Sequence, residues 1–203
     1  MVAEIDIPTK LIIQFKPLRY MTSNTLIAFF SRKGFNYVNG SIINLPVGNT
    51  EVIARKIQLL TGGGSSLFQI LPENPYPEYY TETTTLAQKE LRENARPGLC
   101  RKLDDMTSYN TIFLGYPNWW GTMPMAVFTF LEQYNFSGKR IAPFCTHEGS
   151  GLGSSERDIK NLCPGAIVVP GLAIRGGEVG QADRLIKEWL QANDLIQNKT
   201  LLC

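Results

Sequence analysis

The sequence predicts a doubly wound α/β domain, in which helices cover both faces of a five-stranded parallel sheet to give three layers. Two observations carry this. From residue 24 onward, short β-rich runs alternate with helical patterns in five successive strand–helix units. The strand runs are apolar at consecutive positions rather than at every second one, as strands covered on both faces must be. A third feature, Gly and Pro at the ends of the runs, sets the boundaries.

Thr25–Phe30 (TLIAFF) reads as a buried strand. Glu51–Leu60 reads as a helix with Ile53, Ile57 and Leu60 on one face, ended by Gly62-Gly63-Gly64. Leu67–Leu71 is a short strand. Thr85 followed by Gln88 has the form of a capping box and predicts a helix that stops before Pro97. Thr111–Leu114 is the third strand. Pro124 opens a helix that buries Val127, Phe128 and Leu131, since proline is well tolerated in a first turn. Arg140–Cys145 is the fourth strand, and a short helix follows from about Ser155 to Asn161. Ala166–Val169 is the fifth strand. The last helix, about Val179 to Gln191, carries Val179, Ala182, Ile186 and Trp189 on one stripe. Residues 1–23 precede the pattern and read as an N-terminal extension to the domain at 24–203. Within it, Leu11–Phe15 is either an added edge strand or part of an arm.

The chain has 203 residues, a one-domain length, and is 43% hydrophobic and 19% charged, enough to fill a core. Twenty Lys and Arg against eighteen Asp and Glu leave a net charge of +2, which argues against nucleic-acid binding and against a polybasic membrane surface. No apolar run approaches the roughly 20 residues of a membrane span, and the start, MVAEIDIPTK, does not have the form of a secretory leader. A cytoplasmic protein is expected. Cys100, Cys145, Cys163 and Cys203 form no C-x-x-C, and His147 is the single histidine, so no metal site is expected. The thiols read as a reduced set, with a Cys145–Cys163 disulfide as the alternative.

In a doubly wound sheet, ligands bind beyond the carboxyl ends of the strands, near the point where strand order reverses. That directs attention to three loops. After the first strand comes Ser31-Arg32-Lys33-Gly34, and after an intervening stretch Gly48-Asn49-Thr50 opens the helix. A helix N-terminus offers unpaired N–H groups and partial positive charge, which suit a phosphate; a simple helix cap at Asn49 or Thr50 is the alternative. The spacing matches neither a P-loop nor the dinucleotide G-x-G-x-x-G. After the third strand comes Gly115-Tyr116-Pro117-Asn118-Trp119-Trp120-Gly121, whose adjacent tryptophans suit stacking on a flat ligand, packing beneath the loop being the alternative. After the fourth comes Thr146-His147-Glu148-Gly149-Ser150-Gly151-Leu152-Gly153, whose glycines free backbone N–H groups to meet the polar edge of a heteroaromatic ring. The serine lacks the G-x-S-x-G frame of a nucleophile elbow, and its three-residue spacing from His147 speaks against a hydrolase triad. Phosphate loop, aromatic loop and glycine-rich loop together are what FMN requires.

At these residues the sequence resembles the flavodoxin-like family, and within it a bacterial flavodoxin subgroup with G-Y-P-N-W-W-G-T-M-P in the second loop and P-F-C-T-H-E-G-S-G in the third. Both stand here, at 115–124 and 143–151, and the resemblance covers about residues 24–175. It implies a 2-1-3-4-5 sheet, noncovalent FMN and a redox function. The family's phosphate loop, T/S-x-T-G-N-T, is split here: Ser31 supplies its start and Gly48-Asn49-Thr50 its end, and its middle threonine has no clear counterpart, a place Lys33 or another insert residue would fill. Asn36, Tyr37 and Asn39, in the insert, are expected to form a hairpin, with cofactor contact as the alternative.

The resemblance assigns cofactor binding to Ser31, Arg32, Lys33, Gly48, Asn49, Thr50, Pro117, Asn118, Trp119, Trp120, Gly121, Thr146, His147, Glu148, Gly149, Ser150 and Gly151. A peptide at Gly121 would turn its carbonyl toward the flavin N5. His147 and Glu148 are the candidates for proton transfer, with loop capping by His147 as the alternative. Arg175 and Tyr79 or Tyr80 would border the site. Two functions remain open, a carrier passing electrons between protein partners and an NAD(P)H-dependent FMN or quinone reductase, beside a binding module without redox chemistry. Carriers are usually acidic, because they dock on basic partners, and the net charge of +2 weighs against an ordinary one, while the lack of a nicotinamide motif weighs equally against the reductase.

Overall fold

In the computed structural model, which describes residues 24–196, the chain runs β1 (Thr25–Phe29), β2 (Gly34–Val38), β3 (Ser41–Leu45), α1 (Asn49–Leu60), β4 (Ser66–Gln69), α2 (Tyr80–Arg92) and β5 (Thr111–Pro117). It continues through α3 (Met125–Glu132), β6 (Arg140–His147), α4 (Ser155–Leu162), β7 (Ile167–Val168) and β8 (Leu172–Arg175) to a 3-10 turn at Gly176–Gln181 and α5 (Asp183–Ala192). The extension at 1–23, with Leu11–Phe15, and Cys203 lie outside the described residues.

The main sheet is parallel, in the order β4-β1-β5-β6-β7, with β8 also on β6. Taking β7 and β8 as two halves of one strand, this is the 2-1-3-4-5 order, and β1 stands at the reversal between β4 and β5. Alternate residues feed two cores. Leu26, Ala28, Ile112, Leu114, Tyr116 and Ile141 face one side, where Phe130 of α3 and Ile159 of α4 pack. Ile27, Phe29, Phe113, Ala142 and Phe144 face the other, against Ile53 and Ile57 of α1 and Ile186 and Trp189 of α5. Gly115 makes room for this second core, because a Cβ there would overlap the Phe144 ring.

The predicted fifth strand is broken, and Pro143 supplies the reason. Ile141 presents its carbonyl to that strand, accepting from Val169 N–H at 3.0 Å. Pro143, two residues on, faces the same edge with no N–H to give. The ladder resumes at Phe144↔Leu172. The backbone freed at the break is capped from both faces: Trp189 Nε1 donates to Pro170 O (2.8 Å), and Gly171 N donates to Glu156 Oε1 (2.7 Å).

Three other expectations change. α2 begins at Tyr80, five residues before the expected capping box, and Thr85 lies inside it with its hydroxyl on Thr81 O (2.9 Å). Thr84 and Thr85 look like cap residues in sequence but bond back along the helix to Thr81 O. In α3, Phe128 is only half-buried, lying under the Arg96 guanidinium (5.3 Å), and Phe130 takes the core position. Cys100, Cys145 and Cys163 are free thiols, so the alternative disulfide does not form.

Candidate functional site

β5 extends to Pro117 and β6 to His147, so Pro117, Thr146 and His147 belong to strand ends rather than to loops. Beyond these ends the three sequence-predicted segments converge.

Gly48 is the N-cap of α1, in extended backbone, and no side chain of the helix caps it. Ser31 does so from the end of β1, accepting Glu51 N–H at 3.1 Å. A Cβ on Gly48 would overlap the Ser31 hydroxyl and stand 2.5 Å from Arg32 O, so only glycine allows this approach. The amides of Ser31, Lys33, Asn49 and Thr50 bond to no described residue. Free amides around a helix N-terminus suit an anionic oxygen. Thr50 is buried, its hydroxyl 2.8 Å from that of Thr146, which ties this loop to β6.

The stretch between the two halves of this loop is the antiparallel hairpin β2–β3. Asn39 (φ 49°) and Gly40 (φ 86°) form its turn, the Asn-Gly pair that two-residue hairpins favour. Arg32 braces its base, donating to the carbonyls of Phe35, Pro77 (2.7 Å) and Glu78, and to Asn36 Oδ1 (3.3 Å). Burial lowers its pKa and the Glu78 charge opposes this. Arg32 is thus a scaffold for the loop, while Lys33 is exposed. Phe35 stacks on Tyr79 (6.0 Å) and Tyr37 on Tyr80 (5.9 Å). The hairpin tip reaches across the sheet, where Asn39 N–H donates to Glu148 Oε2 at 3.0 Å.

The two tryptophans separate. Trp119 joins the core, its ring edge-on to Phe30 (5.2 Å) and Tyr76 (4.9 Å). Trp120 adopts φ 56°, is 52% exposed, and donates from Nε1 to Thr84 O at 3.0 Å. Asn118 locks the turn, accepting Gly121 N–H (3.0 Å) and donating to Gly151 O (2.8 Å). The Gly121 carbonyl accepts from Ser154 N at 2.7 Å, so it is engaged with α4 rather than free to turn to a ligand.

His147 Nδ1 accepts Gly149 N–H at 2.9 Å. Partial burial and then the Arg175 charge lower its pKa, against Glu148 and Glu178. His147 is therefore a neutral loop brace, and Glu148 holds the hairpin. Gly149 (φ 147°) and Gly151 (φ 57°) give the loop its course past the exposed Ser150. Burial pushes the Cys145 and Cys163 thiols up to about 12, so neither is a nucleophile.

Asn118, Trp119, Trp120, Gly121 and Ser150 line a cavity of about 270 Å³. Its other wall is Arg32, Asn36, Tyr80, Thr83, Thr84 and Ala87. Tyr80 was expected beside the site; Thr83, Thr84 and Ala87 escaped the sequence because the helix start was placed too late, and Asn36 serves both hairpin and cavity. Among the described residues no cluster of metal-ligating groups exists, and no helix is long and apolar enough to cross a membrane.

A parallel 2-1-3-4-5 sheet with free helix amides and an aromatic loop at the switch point defines a doubly wound α/β protein with a candidate ligand site there. The family model described as Flavodoxin matches residues 25–193, and the chain belongs to that family. A solved structure assigned as a flavoprotein of Bacteroides eggerthii DSM 20697 is similar at 26% identity and a TM-score of 0.68, covering 85% of this chain and 98% of that one. A flavoprotein of Lactobacillus acidophilus NCFM, solved in complex with FMN, is similar at 22% identity and a TM-score of 0.56, covering 78% and 97%. The comparison with curated proteins finds no match.

Proposed function

We propose that this chain binds FMN noncovalently and serves as an electron-transfer flavoprotein. The observation that carries the reading is the convergence of Gly48-Asn49-Thr50, the Asn118–Gly121 turn and the Glu148–Gly151 loop at the switch point of the sheet. The residues fit the cofactor. The amides of Ser31, Lys33, Asn49 and Thr50 would hold its phosphate, helped by the Ser31 hydroxyl and the Asn49 amide. The exposed Trp120 indole is the surface for its ring, and the amides near Ser150 and Gly151 would meet its polar edge. When bound, FMN supplies one- and two-electron transfer. The protein supplies binding, orientation and partial exclusion of water by the hairpin. His147 and Glu148 act by positioning loops, and Arg32 both braces the hairpin and walls the ring cavity.

The net charge of +2 weighs against a carrier that docks by charge, and the lack of a nicotinamide motif weighs equally against a reductase, while the free thiols at Cys100, Cys145 and Cys163 support a reducing, cytoplasmic setting. Titration of the purified protein with FMN tests the first step, with quenching of flavin fluorescence at stoichiometric protein as the expected result. An absence of binding at millimolar FMN would overturn it. With FMN bound, direct oxidation of NADPH in the presence of a quinone supports the reductase. Reduction only after adding a separate reductase supports the carrier.

A further inference from the structure

A second and larger cavity, about 920 Å³, is lined by Phe30 and Tyr76, the two rings that meet Trp119 of the proposed flavin ring site edge-on. Its walls come from the β1 loop, the end of β3 and the segment after β4. We propose that it is a binding site for a flat, uncharged aromatic ring, either a free one or the base of an adenine dinucleotide.

Four observations select that class. The size is that of a small-molecule site rather than of a phosphate pocket. Pro46, Pro72, Pro75 and Pro77 stiffen the walls, so the space is formed before any ligand arrives. Leu71, Leu45 and the half-buried Tyr76 ring supply apolar and aromatic surface, backed by the buried Phe30 and Ile70. Its lining carries Arg32 and Lys33 against Glu51, Glu73 and Glu78, a balance that does not favour an anion. The Arg32 donors go to carbonyls, and Glu51 pairs with Arg55 at 2.6 Å. An anionic ligand therefore gains little, and a neutral ring loses nothing.

The position gives the site a use. Phe30 and Tyr76 line this cavity and meet Trp119 edge-on, while Trp119 lines the smaller cavity. Arg32 borders both. A ring held here stands one aromatic layer from the cofactor cavity and beside its phosphate loop, where a free acceptor or the adenine end of a dinucleotide would lie. The assignment rests on the FMN reading only for what occupies the neighbouring cavity.

Cys100 is exposed and lines the large cavity, whereas Cys145 and Cys163 are buried, so its alkylation reports on occupancy. The experiment uses the full chain with Cys203→Ser, and follows alkylation of Cys100 by N-ethylmaleimide. It is run with and without FMN, and flavin fluorescence is read in the same samples. The probes are 2,3-dimethyl-1,4-naphthoquinone, whose substituted ring does not add thiols, and FAD. At saturation, at least a fivefold slowing by the naphthoquinone, with FMN retained, supports a free ring. The same slowing by FAD, with affinity at least tenfold above that for FMN, supports a tethered adenine. Leu71→Arg and Pro75→Arg, both at exposed wall positions, are expected to abolish protection while FMN affinity stays within twofold. Protection by neither probe overturns the proposal, and so does protection by FMN alone, which would make the cavity part of the cofactor site. Failure of FMN to bind overturns the flavin reading instead, since naphthoquinone protection is still read without it.

Discussion

A tight turn with positive φ at Trp120 and Gly121 sends two neighbouring indoles to different places. Trp119 completes an aromatic cluster with Phe30 and Tyr76, and Trp120 lies in the open against α2. Trp119→Ala is therefore expected to cost about 3 kcal/mol in urea unfolding, the lower range for losing a packed aromatic. Trp120→Ala is expected to cost less than about 1 kcal/mol, because one exposed hydrogen bond is lost, yet to weaken FMN binding tenfold or more. Equal effects of the two on stability would contradict the assignment. At His147 the folded pKa lies below its ordinary 6.5. As pH falls, the unfolded chain takes up the proton first, so the stability carried by the neutral ring is whole above about pH 6.5 and is lost below it. Protonation also ends the Nδ1 acceptance from Gly149. Comparing unfolding midpoints from pH 7.5 to 5 should show a steeper decline for the wild type than for His147→Gln.

The hairpin is the element that most distinguishes this site. It is pinned at its base by Arg32, along its length by two ring stacks, and at its tip by Glu148. Glu148→Ala removes the acceptor of Asn39 N–H, an exposed and charge-assisted bond worth about 1 kcal/mol after solvent screening. Hydrogen exchange at the 39–40 turn should quicken severalfold while exchange in β5 and β6 stays unchanged. An unaltered turn would mean that the ring stacks alone hold the hairpin. A hairpin around Asn36, Tyr37 and Asn39 was legible in the sequence, and the structure places its turn at Asn39-Gly40. Its docking on Glu148 was not, since the two partners stand 109 residues apart.

For the whole molecule, FMN binding to the folded chain alone stabilises it by mass action. At a free FMN concentration one hundred times Kd the gain is about 2.7 kcal/mol, which for a chain of this size raises Tm by roughly 5–11 °C. Differential scanning calorimetry with and without FMN checks this, and a Tm indifferent to FMN would contradict binding at a folded site. The sequence by itself determined the five strand–helix units and the three loops that meet beyond the strand ends. Those features are written in local patterns: apolar runs, glycine and proline stops, and residue types clustered within ten positions. Tertiary structure alone decided the split of the fifth strand opposite Pro143, the parting of Trp119 from Trp120, the bracing bonds of Arg32, His147 and Glu148, and the second cavity. Each depends on which distant group completes a hydrogen bond or fills a space, and no local pattern encodes that.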